Sequence, residues 1–158
     1  MAMEAVSCGG VVIHKNRVLL LYKNHNGRYM GWVMPKGTKE PEETFKQTAL
    51  REVREEASVT AQAVKFIGKT QYSFRGAGDM VSKTVYWYLM TTESFYCKPQ
   101  AEEFFADVGF YKQHEAYHLL KFHDERQIMK KAYGAYNDLR RNTERDPEPR
   151  RDEHGKRI

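Results

Sequence analysis

Three glutamates in one stretch of the chain are the residues best suited to chemistry. Glu52, Glu55 and Glu56 are spaced i, i+3 and i+4, so a helix would place their carboxylates on one face within about one turn. Like charges at this spacing repel, and a hard divalent cation relieves the repulsion because it prefers carboxylate oxygen. The pattern indicates a site for Mg²⁺, with Mn²⁺ as a second candidate, although a solvated acidic helix face has the same pattern.

The segment that carries these glutamates is predicted to be a helix from Glu42 to Ala57. It contains no internal glycine or proline, and acidic residues lie at its start. Apolar residues recur every fourth position and predict one buried stripe: Phe45, Ala49, Val53 and Ala57. A helix anchored by this stripe would hold the carboxylates on a rigid element.

The rest of the chain is predicted to form strands around this helix, followed by two further helices. The pattern predicts strands at Val6–Ile13, Arg17–Tyr22, Gly31–Pro35, Ala61–Thr70, Gln71–Phe74, Lys83–Thr92 and Asp107–Tyr111. Helices are predicted at Gln113–Leu120 and Asp124–Arg141, the second burying Ile128, Met129, Ala132, Tyr136 and Leu139. A hairpin turn is predicted at His14–Asn16, and loops are predicted at Asn24–Gly31, Thr38–Pro41 and Arg75–Asp79.

The charge distribution indicates one domain with a tail. The chain has 158 residues and a net charge of +5. Residues 142–158 hold five basic and five acidic residues, so the positive excess lies in residues 1–141. We expect a domain at 1–141 and a flexible, charged tail at 142–158, because the tail has almost nothing apolar to bury. A basic body around an acidic site suits a polyanionic substrate.

Cysteine usage and hydropathy predict a cytoplasmic protein without a membrane segment. Cys8 and Cys97 are far apart in sequence and are expected to be reduced thiols. The N-terminus lacks a signal-peptide pattern, and no apolar run is long enough to span a bilayer. No motif for specific nucleic-acid binding is present. We expect a monomer or a homodimer.

The stretch from Gly37 to Val59 resembles the Nudix box of the Nudix (MutT-like) hydrolases. The positions that match the box are Gly37, Glu43, Arg51, Glu52, Val53, Glu55, Glu56 and Val59. Ser58 departs from the box, which has glycine at this position. A glycine there usually supplies a left-handed C-cap, which serine enters at a cost of about 1–2 kcal/mol. We therefore expect a modest loss of stability and retained activity.

The resemblance implies a fold and a set of roles. The fold is an α/β/α sandwich with a mixed β-sheet and a loop–helix–loop. Glu52, Glu55 and Glu56 match the metal-binding glutamates, and the carbonyl of Gly37 matches a backbone ligand. Arg51 and Glu43 match an ion pair that orients the carboxylates. Glu102 and Glu103 are candidates for a general base outside the box, with two solvated loop acids as the alternative.

The resemblance also suggests a substrate class. Residues 31–37 resemble the box entry of dinucleoside polyphosphate and diphosphoinositol polyphosphate hydrolases, and residues 83–88 resemble a strand of diadenosine tetraphosphate hydrolases. Trp32, Lys36 and Lys83 would bind substrate, the lysines through phosphate. Tyr86 or Tyr88 would stack on adenine, or else lie in the core as Trp87 is expected to do. His114 or Tyr117 could approach the same pocket.

The implied activity is metal-dependent hydrolysis of a phosphoanhydride bond in a nucleoside diphosphate-linked substrate, such as a dinucleoside polyphosphate. Inositol pyrophosphates, damaged nucleoside triphosphates and RNA 5′ ends are alternative substrates. A Nudix-fold module that binds nucleotides without catalysis is the alternative of a different class.

Overall fold

The computed structural model describes residues 3–25 and 30–145, and these form one mixed sheet with helices on both faces. The elements in chain order are β1 Met3–His14, β2 Arg17–Asn24, β3 Met30–Val33, β4 Lys36–Thr38, α1 Phe45–Ala57, β5 Gln62–Arg75, β6 Met80–Thr91, β7 Phe105–Lys112, α2 Gln113–Leu119 and α3 His123–Arg145. A 3₁₀ turn at Ala101–Glu103 precedes β7. No helix among these residues is long and apolar enough to cross a membrane.

The sheet has the strand order β3-β2-β1-β6-β5, with β4 pairing to β1 and β7 pairing to β2. The pairing of β1 with β6 is parallel and the other pairings are antiparallel. The predicted turn at His14–Asn16 joins β1 to β2, and Lys15 and Asn16 both take positive φ there, as a tight hairpin requires. The mixed α/β sheet predicted from the resemblance is confirmed.

Two buried clusters lie on opposite faces of the sheet, because successive strand residues point to opposite faces. Strand residues such as Val11, Leu20 and Trp87 pack against α2 and α3. Their neighbours along the same strands, such as Val12, Leu19 and Met90, pack against the predicted stripe of α1. Ala49, Val53 and Ala57 of that stripe are fully buried, and Phe45 packs at its edge.

Helix α1 begins at Phe45, three residues later than predicted, because Thr44 caps it. The Thr44 hydroxyl accepts from the Gln47 amide at 3.1 Å, and the Gln47 side chain accepts from the Thr44 amide at 2.9 Å. This reciprocal pair is a capping box, which satisfies two backbone N–H groups that would otherwise lack partners. Glu42 and Glu43 therefore precede the helix.

The end of α1 explains how the departure at position 58 is tolerated. Ser58 takes the left-handed conformation, with φ 58° and ψ 30°, and its N–H donates to the Arg54 carbonyl at 2.9 Å. Serine therefore adopts a left-handed conformation that a glycine enters without strain. Its side chain lies at the exit of the helix, beyond the turn that carries Glu52 and Glu56.

We expect Ser58→Gly to raise the free energy of unfolding by about 0.5–1 kcal/mol, because glycine enters the left-handed region without strain. The hydrolytic activity implied by the resemblance should stay unchanged. Chemical denaturation measures the effect. Ser73→Gly, in the exposed part of β5, is the matched control. It should lower the free energy of unfolding by about 0.5–1 kcal/mol, because glycine loses more backbone freedom on folding. Equal destabilisation by both variants would contradict strain at Ser58.

The structure corrects several predicted boundaries. The two strands predicted at 61–70 and 71–74 are one strand, β5, whose register with β6 shifts at two bulges. Strand β6 begins at Met80, three residues early, and α3 continues to Arg145. Leu139 is 41% exposed, not buried, because the core contacts of α3 end at Tyr136. Residues 26–29 of the predicted loop and 146–158 of the predicted tail lie outside the described residues.

Both cysteines are free thiols. Cys8 is fully buried on β1, and burial raises its thiol pKa to about 11. Cys97 is half-buried, and burial raises its pKa as well. Thiols with raised pKa values form little thiolate near neutral pH and are therefore poor nucleophiles.

Candidate active site

Two glutamates of α1 meet a third from the turn before β7. Glu52 and Glu56 are 8% and 3% exposed, and Glu103 is an exposed residue of the 3₁₀ turn. One carboxylate oxygen from each lies within 4.8 Å of the other two. Among the described residues this is the one group of three or more such side chains placed to share a metal ion.

The electrostatics of this acidic cluster favour binding of a cation. Burial, together with the charge of Glu52, raises the pKa of Glu56 to about 8. Burial also raises the pKa of Glu52, against the lowering effect of Arg51. Buried carboxylates with raised pKa values are stabilised in their charged form by a positive partner. Because the donor atoms are all carboxylate oxygens, the cluster fits a hard divalent cation.

Strand β4 packs directly onto both buried carboxylates. The backbone N–H of Lys36 donates to Glu56 Oε2 at 3.3 Å. A Cβ atom added to Gly37 would lie 2.0 Å from Cδ of Glu52 and 2.2 Å from its Oε2. The box glycine therefore makes room for the Glu52 carboxylate. The proposed metal contact of the Gly37 carbonyl stays a prediction.

Arg51 holds the acidic face of α1 in place. Its guanidinium donates to both oxygens of Glu43, at 2.6 and 2.8 Å, and to the Thr38 carbonyl at 3.0 Å. It also donates to Oε1 of Glu52 at 2.8 Å and to Oε2 of Glu55 at 3.1 Å. The Arg51 guanidinium lowers the pKa of Glu43 to about 2. The ion pair implied by the resemblance is present, and it restricts the position of the Glu52 carboxylate.

The structure separates Glu55 from the other two glutamates of the helix. The Glu55 side chain is 44% exposed and bonds to Arg51, and it does not belong to the acidic cluster. Glu103 is the third member of the acidic cluster. Its neighbour Glu102 is also exposed but lies outside the cluster. The geometry therefore favours Glu103 over Glu102, which the sequence did not distinguish.

A cavity of about 370 Å³ adjoins the acidic cluster at Glu56. It is lined by Lys23, Val33, Met34, Lys36, Glu56, Thr70, Tyr72, Val85, Trp87, Phe105, Phe122, Asp124 and Glu125. Its size suits a small organic ligand. Apolar and aromatic walls combined with a few charged groups are typical of such sites.

Strand alternation places Trp87 at this cavity and the two tyrosines elsewhere. Trp87 is fully buried but lines the cavity, and its Nε1 donates to Thr70 Oγ1 at 3.0 Å. Tyr86 lies on the opposite face, with its ring centroid 4.4 Å from that of Phe45. Tyr88 packs on that face too. The tyrosines predicted to stack on a base are therefore separated from the cavity by the sheet.

Of the lysines predicted to bind substrate, one lines the cavity and the other lies near it. Lys36 lines the cavity. Lys83 is half-buried, and its pKa is lowered by burial and by the charges of Lys36 and Lys23. These three lysines therefore lie near one another and near Glu56. Lys23, on β2, was not identified from the sequence, because no motif marks it.

Three other predicted residues lie away from the cavity lining. Trp32 packs edge-to-face on Tyr22 and Tyr111, with centroids 5.4 and 5.1 Å away. His114 is exposed and contacts His118 on the same helix. Tyr117 is covered by the guanidinium of Arg126, 5.3 Å from its ring centroid, and by a lysine.

The metal-free protein should lose stability as pH rises from about 5 to about 8. The folded-state pKa of Glu56 is about 8, well above the ordinary glutamate pKa of 4.5. The stabilisation is fully present below the unfolded pKa and disappears as Glu56 ionises. We expect a loss of roughly 2–4 kcal/mol, measured by denaturation in EDTA.

Glu56→Gln should remove most of this pH dependence, whereas Glu55→Gln should keep it. Added Mg²⁺ should restore stability at pH 8 because it binds the ionised carboxylates. A metal-free protein whose unfolding free energy is the same at both pH values would contradict the raised pKa of Glu56.

Comparison with known proteins places the chain in a family. A NUDIX domain model matches residues 3–133. The protein named MutT4 of Mycobacterium tuberculosis is 35% identical over 96 residues, 56% of this chain and 38% of that protein. Nudix hydrolase 21, chloroplastic, of Arabidopsis thaliana is 34% identical over 85 residues, 54% of this chain and 41% of that protein. The chain spans less than half the length of these two relatives.

A solved structure agrees with this assignment at the level of the fold. An Ap4A hydrolase of C. elegans, solved as a binary complex, superposes with a TM-score of 0.64 and 18% identity. The match covers 85% of this chain and 98% of that chain. Because the family model extends over most of the residues described above, including the acidic cluster and its supports, the chain belongs to the Nudix family.

Proposed function

We propose that the chain is a Mg²⁺-dependent pyrophosphohydrolase that cleaves a phosphoanhydride bond in a nucleoside diphosphate-linked substrate. The observation that carries this proposal is the convergence of Glu52, Glu56 and Glu103 within 4.8 Å beside a cavity. Membership of the Nudix family supports the reaction type. The intact carboxylate set argues against a module that only binds nucleotides.

The carboxylates of the acidic cluster are the groups that would bind the cation in such a reaction. Glu52, Glu56 and Glu103 would hold the cation, with the Gly37 carbonyl as a further ligand implied by the family resemblance. The resemblance also implies Glu55, but its side chain contacts Arg51 and lies outside the acidic cluster. The chemistry that a divalent cation would supply there is neutralisation of phosphate oxygens and a lowered pKa of a bound water. Mn²⁺ could replace Mg²⁺, since both prefer oxygen ligands.

Other residues of the chain would position the Glu52 carboxylate, bind the phosphates and accept the proton. The Arg51 guanidinium fixes Oε1 of Glu52 at 2.8 Å, so the carboxylate is oriented before substrate arrives. We propose that Lys36 and Lys83 bind phosphate oxygens and that Lys23, which also lines the cavity, adds a third positive charge. Glu103 offers one carboxylate oxygen to the cluster, so its other oxygen is the proposed acceptor of the proton from the attacking water, with Glu102 as the alternative base.

We propose a dinucleoside polyphosphate as the substrate. Three lysines near one another and near Glu56 suit a chain of several phosphates, and the apolar cavity suits a nucleobase. The similarity in fold to an Ap4A hydrolase supports the same class. An inositol pyrophosphate has no flat apolar ring to occupy the cavity, so the lining favours a nucleotide.

A substrate panel tests the proposal. Dinucleoside tetraphosphates, sugar nucleotides, nucleoside triphosphates, an inositol pyrophosphate and a 5′-triphosphate RNA are incubated with Mg²⁺ or Mn²⁺, and products are identified by mass. We expect asymmetric cleavage of a dinucleoside tetraphosphate into a nucleoside monophosphate and a triphosphate. Turnover of only the inositol or RNA substrate would overturn the substrate class. Nucleotide binding without any turnover would overturn the enzymatic function.

A further inference from the structure

The third carboxylate of the acidic cluster comes from outside the helix. Glu103 ends the 3₁₀ turn before β7, whereas Glu52 and Glu56 lie on α1. Both helix glutamates are buried, but Glu103 is exposed, so packing of its side chain does not fix it. Its place within 4.8 Å of the other two carboxylates therefore depends on the backbone of the segment 98–105.

The first half of this segment is attached to the end of α1. The N–H of Lys98 donates to the Ala57 carbonyl at 2.8 Å, and the N–H of Gln100 donates to the Glu56 carbonyl at 3.0 Å. The last carbonyl groups of a helix have no partner within the helix, and these two bonds satisfy two of them. Residue 100 is thereby bonded to the same residue whose carboxylate belongs to the acidic cluster.

The second half of the segment turns at a strained residue. Phe104 directly follows Glu103 and takes the left-handed conformation, with φ 68° and ψ 22°. A bulky side chain rarely adopts this conformation, because its Cβ crowds its own backbone. The turn is closed by the Phe104 N–H, which donates to the Ala101 carbonyl at 3.1 Å. A strained conformation persists where surrounding contacts hold it.

Two contacts from the end of β2 hold Phe104. The N–H of Asn24 donates to the Phe104 carbonyl at 2.9 Å. The ring of His25 stacks on the Phe104 ring, with the centroids 4.1 Å apart and the planes 17° from parallel. Because Phe104 is 41% exposed, the core does not enclose its ring. The stacked histidine therefore covers one face of a ring that the core leaves open, and aromatic stacking is attractive beyond the area it buries.

We propose that His25 is a positioning residue: its ring, stacked on Phe104, holds the left-handed turn that places the Glu103 carboxylate in the acidic cluster. His25 belongs neither to the cluster nor to the cavity lining, so it acts through Phe104. If Phe104 relaxed, the backbone would change direction beside Glu103, and the carboxylate would leave the cluster. The proposal rests on the proposed function only for the use of the cluster in catalysis.

Cation binding without substrate tests the proposal. Mn²⁺ is titrated into the full chain and followed by electron paramagnetic resonance. We expect His25→Ala to raise the Kd for Mn²⁺ about tenfold, as is typical when a group that orients a metal ligand is removed. His25→Phe should restore the wild-type affinity, because a phenyl ring can stack in the same place. An unchanged Mn²⁺ affinity in His25→Ala would overturn the proposal.

His118→Ala is the matched control, because His118 is an exposed histidine that also contacts another ring, on α2. It should leave the Mn²⁺ affinity unchanged. A double-mutant cycle then separates positioning from a general effect on the fold. In a Glu103→Gln background, His25→Ala should weaken Mn²⁺ binding no further. A further loss equal to that in the wild-type chain would show that His25 acts elsewhere, and would overturn the proposal.

Substitutions at Phe104 test the strained turn itself. Both Phe104→Ala and Phe104→Gly remove the stacked ring, but glycine enters the left-handed region without strain. We therefore expect Phe104→Gly to retain more Mn²⁺ affinity than Phe104→Ala. The reverse order would contradict a turn that the stack must hold against strain.

Turnover separates this inference from the proposed function. With diadenosine tetraphosphate and saturating Mg²⁺, His25→Ala should lower kcat and leave KM nearly unchanged, because the cavity lining is intact. Mn²⁺ binding that follows the expected pattern, without cleavage of any substrate, would overturn the hydrolase function and leave the positioning role. Wild-type Mn²⁺ affinity and wild-type kcat in His25→Ala would overturn the positioning role alone.

Discussion

Glu56→Gln is expected to reduce kcat at saturating Mg²⁺ by about 10²–10³-fold. Removing one ligand or one group that stabilises charge in the transition state typically costs about 10²–10³-fold, and Glu56 is the most buried member of the acidic cluster. Glutamine keeps the shape and the carbonyl oxygen that can accept from Lys36. It removes the negative charge that a divalent cation requires. Steady-state kinetics over a range of Mg²⁺ concentrations measures the loss.

A second measurement shows that this loss is chemical and not a folding defect. Because Glu56 has a raised pKa in the metal-free protein, an uncharged glutamine should make that protein more stable at pH 8. Glu56→Gln is therefore expected to be inactive and more resistant to denaturant in EDTA. A variant that loses activity and stability together would contradict this account of the site.

Glu55→Gln is the matched comparison on the same helix. Its side chain is 44% exposed and contacts Arg51, so we expect a loss of at most about tenfold, from weaker orientation of the guanidinium. Nearly wild-type turnover by both variants would show that the site assignment is wrong. Equal losses of about 10²–10³-fold would show that metal binding brings Glu55 into the cluster, as the family resemblance implies.

Local patterns predicted those parts of the fold that depend on neighbouring residues. The four-residue apolar period located α1, and the turn at Lys15 and Asn16 located the first hairpin. The start of α1 was predicted three residues early, because the acidic residues before Thr44 were taken as the first helical turn. Thr44 and Gln47 instead form a capping box, so the helix begins after Thr44. Strand β5 was divided in the prediction between Thr70 and Gln71, where its pairing with β6 is continuous. Residues 71–75 are all exposed, so they show no alternation of buried side chains that would mark them as part of the same strand.

The acidic part of the site was predictable because most of it lies in one continuous segment. Gly37, Glu43 and Arg51 have fixed offsets from Glu52 and Glu56, so local geometry brings them together. Glu103 joins them through the strand order, and a single sequence contains no signal that distinguishes it from Glu102. The side of the sheet on which a side chain lies was also not predictable, so the stacking role was given to the tyrosines and Trp87 was left in the core.

The burial of Glu125 could have been predicted from the sequence. It lies three and four positions before Ile128 and Met129, on the apolar stripe of α3, and a charged residue on such a stripe is rarely buried without a reason. By contrast, Lys23 lies on β2 among residues with no comparable pattern. Its position near Lys36 and Lys83 depends on the pairing of strands that are distant in sequence.

Gly37→Ala is expected to reduce activity by about 10²-fold, although it adds only one methyl group. That group would lie 2.0 Å from Cδ of Glu52 and 2.2 and 2.4 Å from its oxygens, far inside van der Waals contact. A flexible carboxylate usually moves away, but Arg51 holds Oε1 at 2.8 Å and is itself held by Glu43. We therefore expect Glu52 to be displaced from the cluster, with a weaker Mg²⁺ affinity and a lower kcat.

Gly134→Ala is the control for this substitution, because nothing lies within 4 Å of a Cβ added there on α3. It should raise stability by about 1 kcal/mol and leave activity unchanged. A double-mutant cycle then identifies the cause of the loss at Gly37. If displacement of Glu52 is the cause, Gly37→Ala should reduce activity much less in a Glu52→Asp background, whose shorter side chain leaves room for the methyl group. Additive losses would show that Gly37→Ala acts through the backbone of β4 and not through the Glu52 carboxylate.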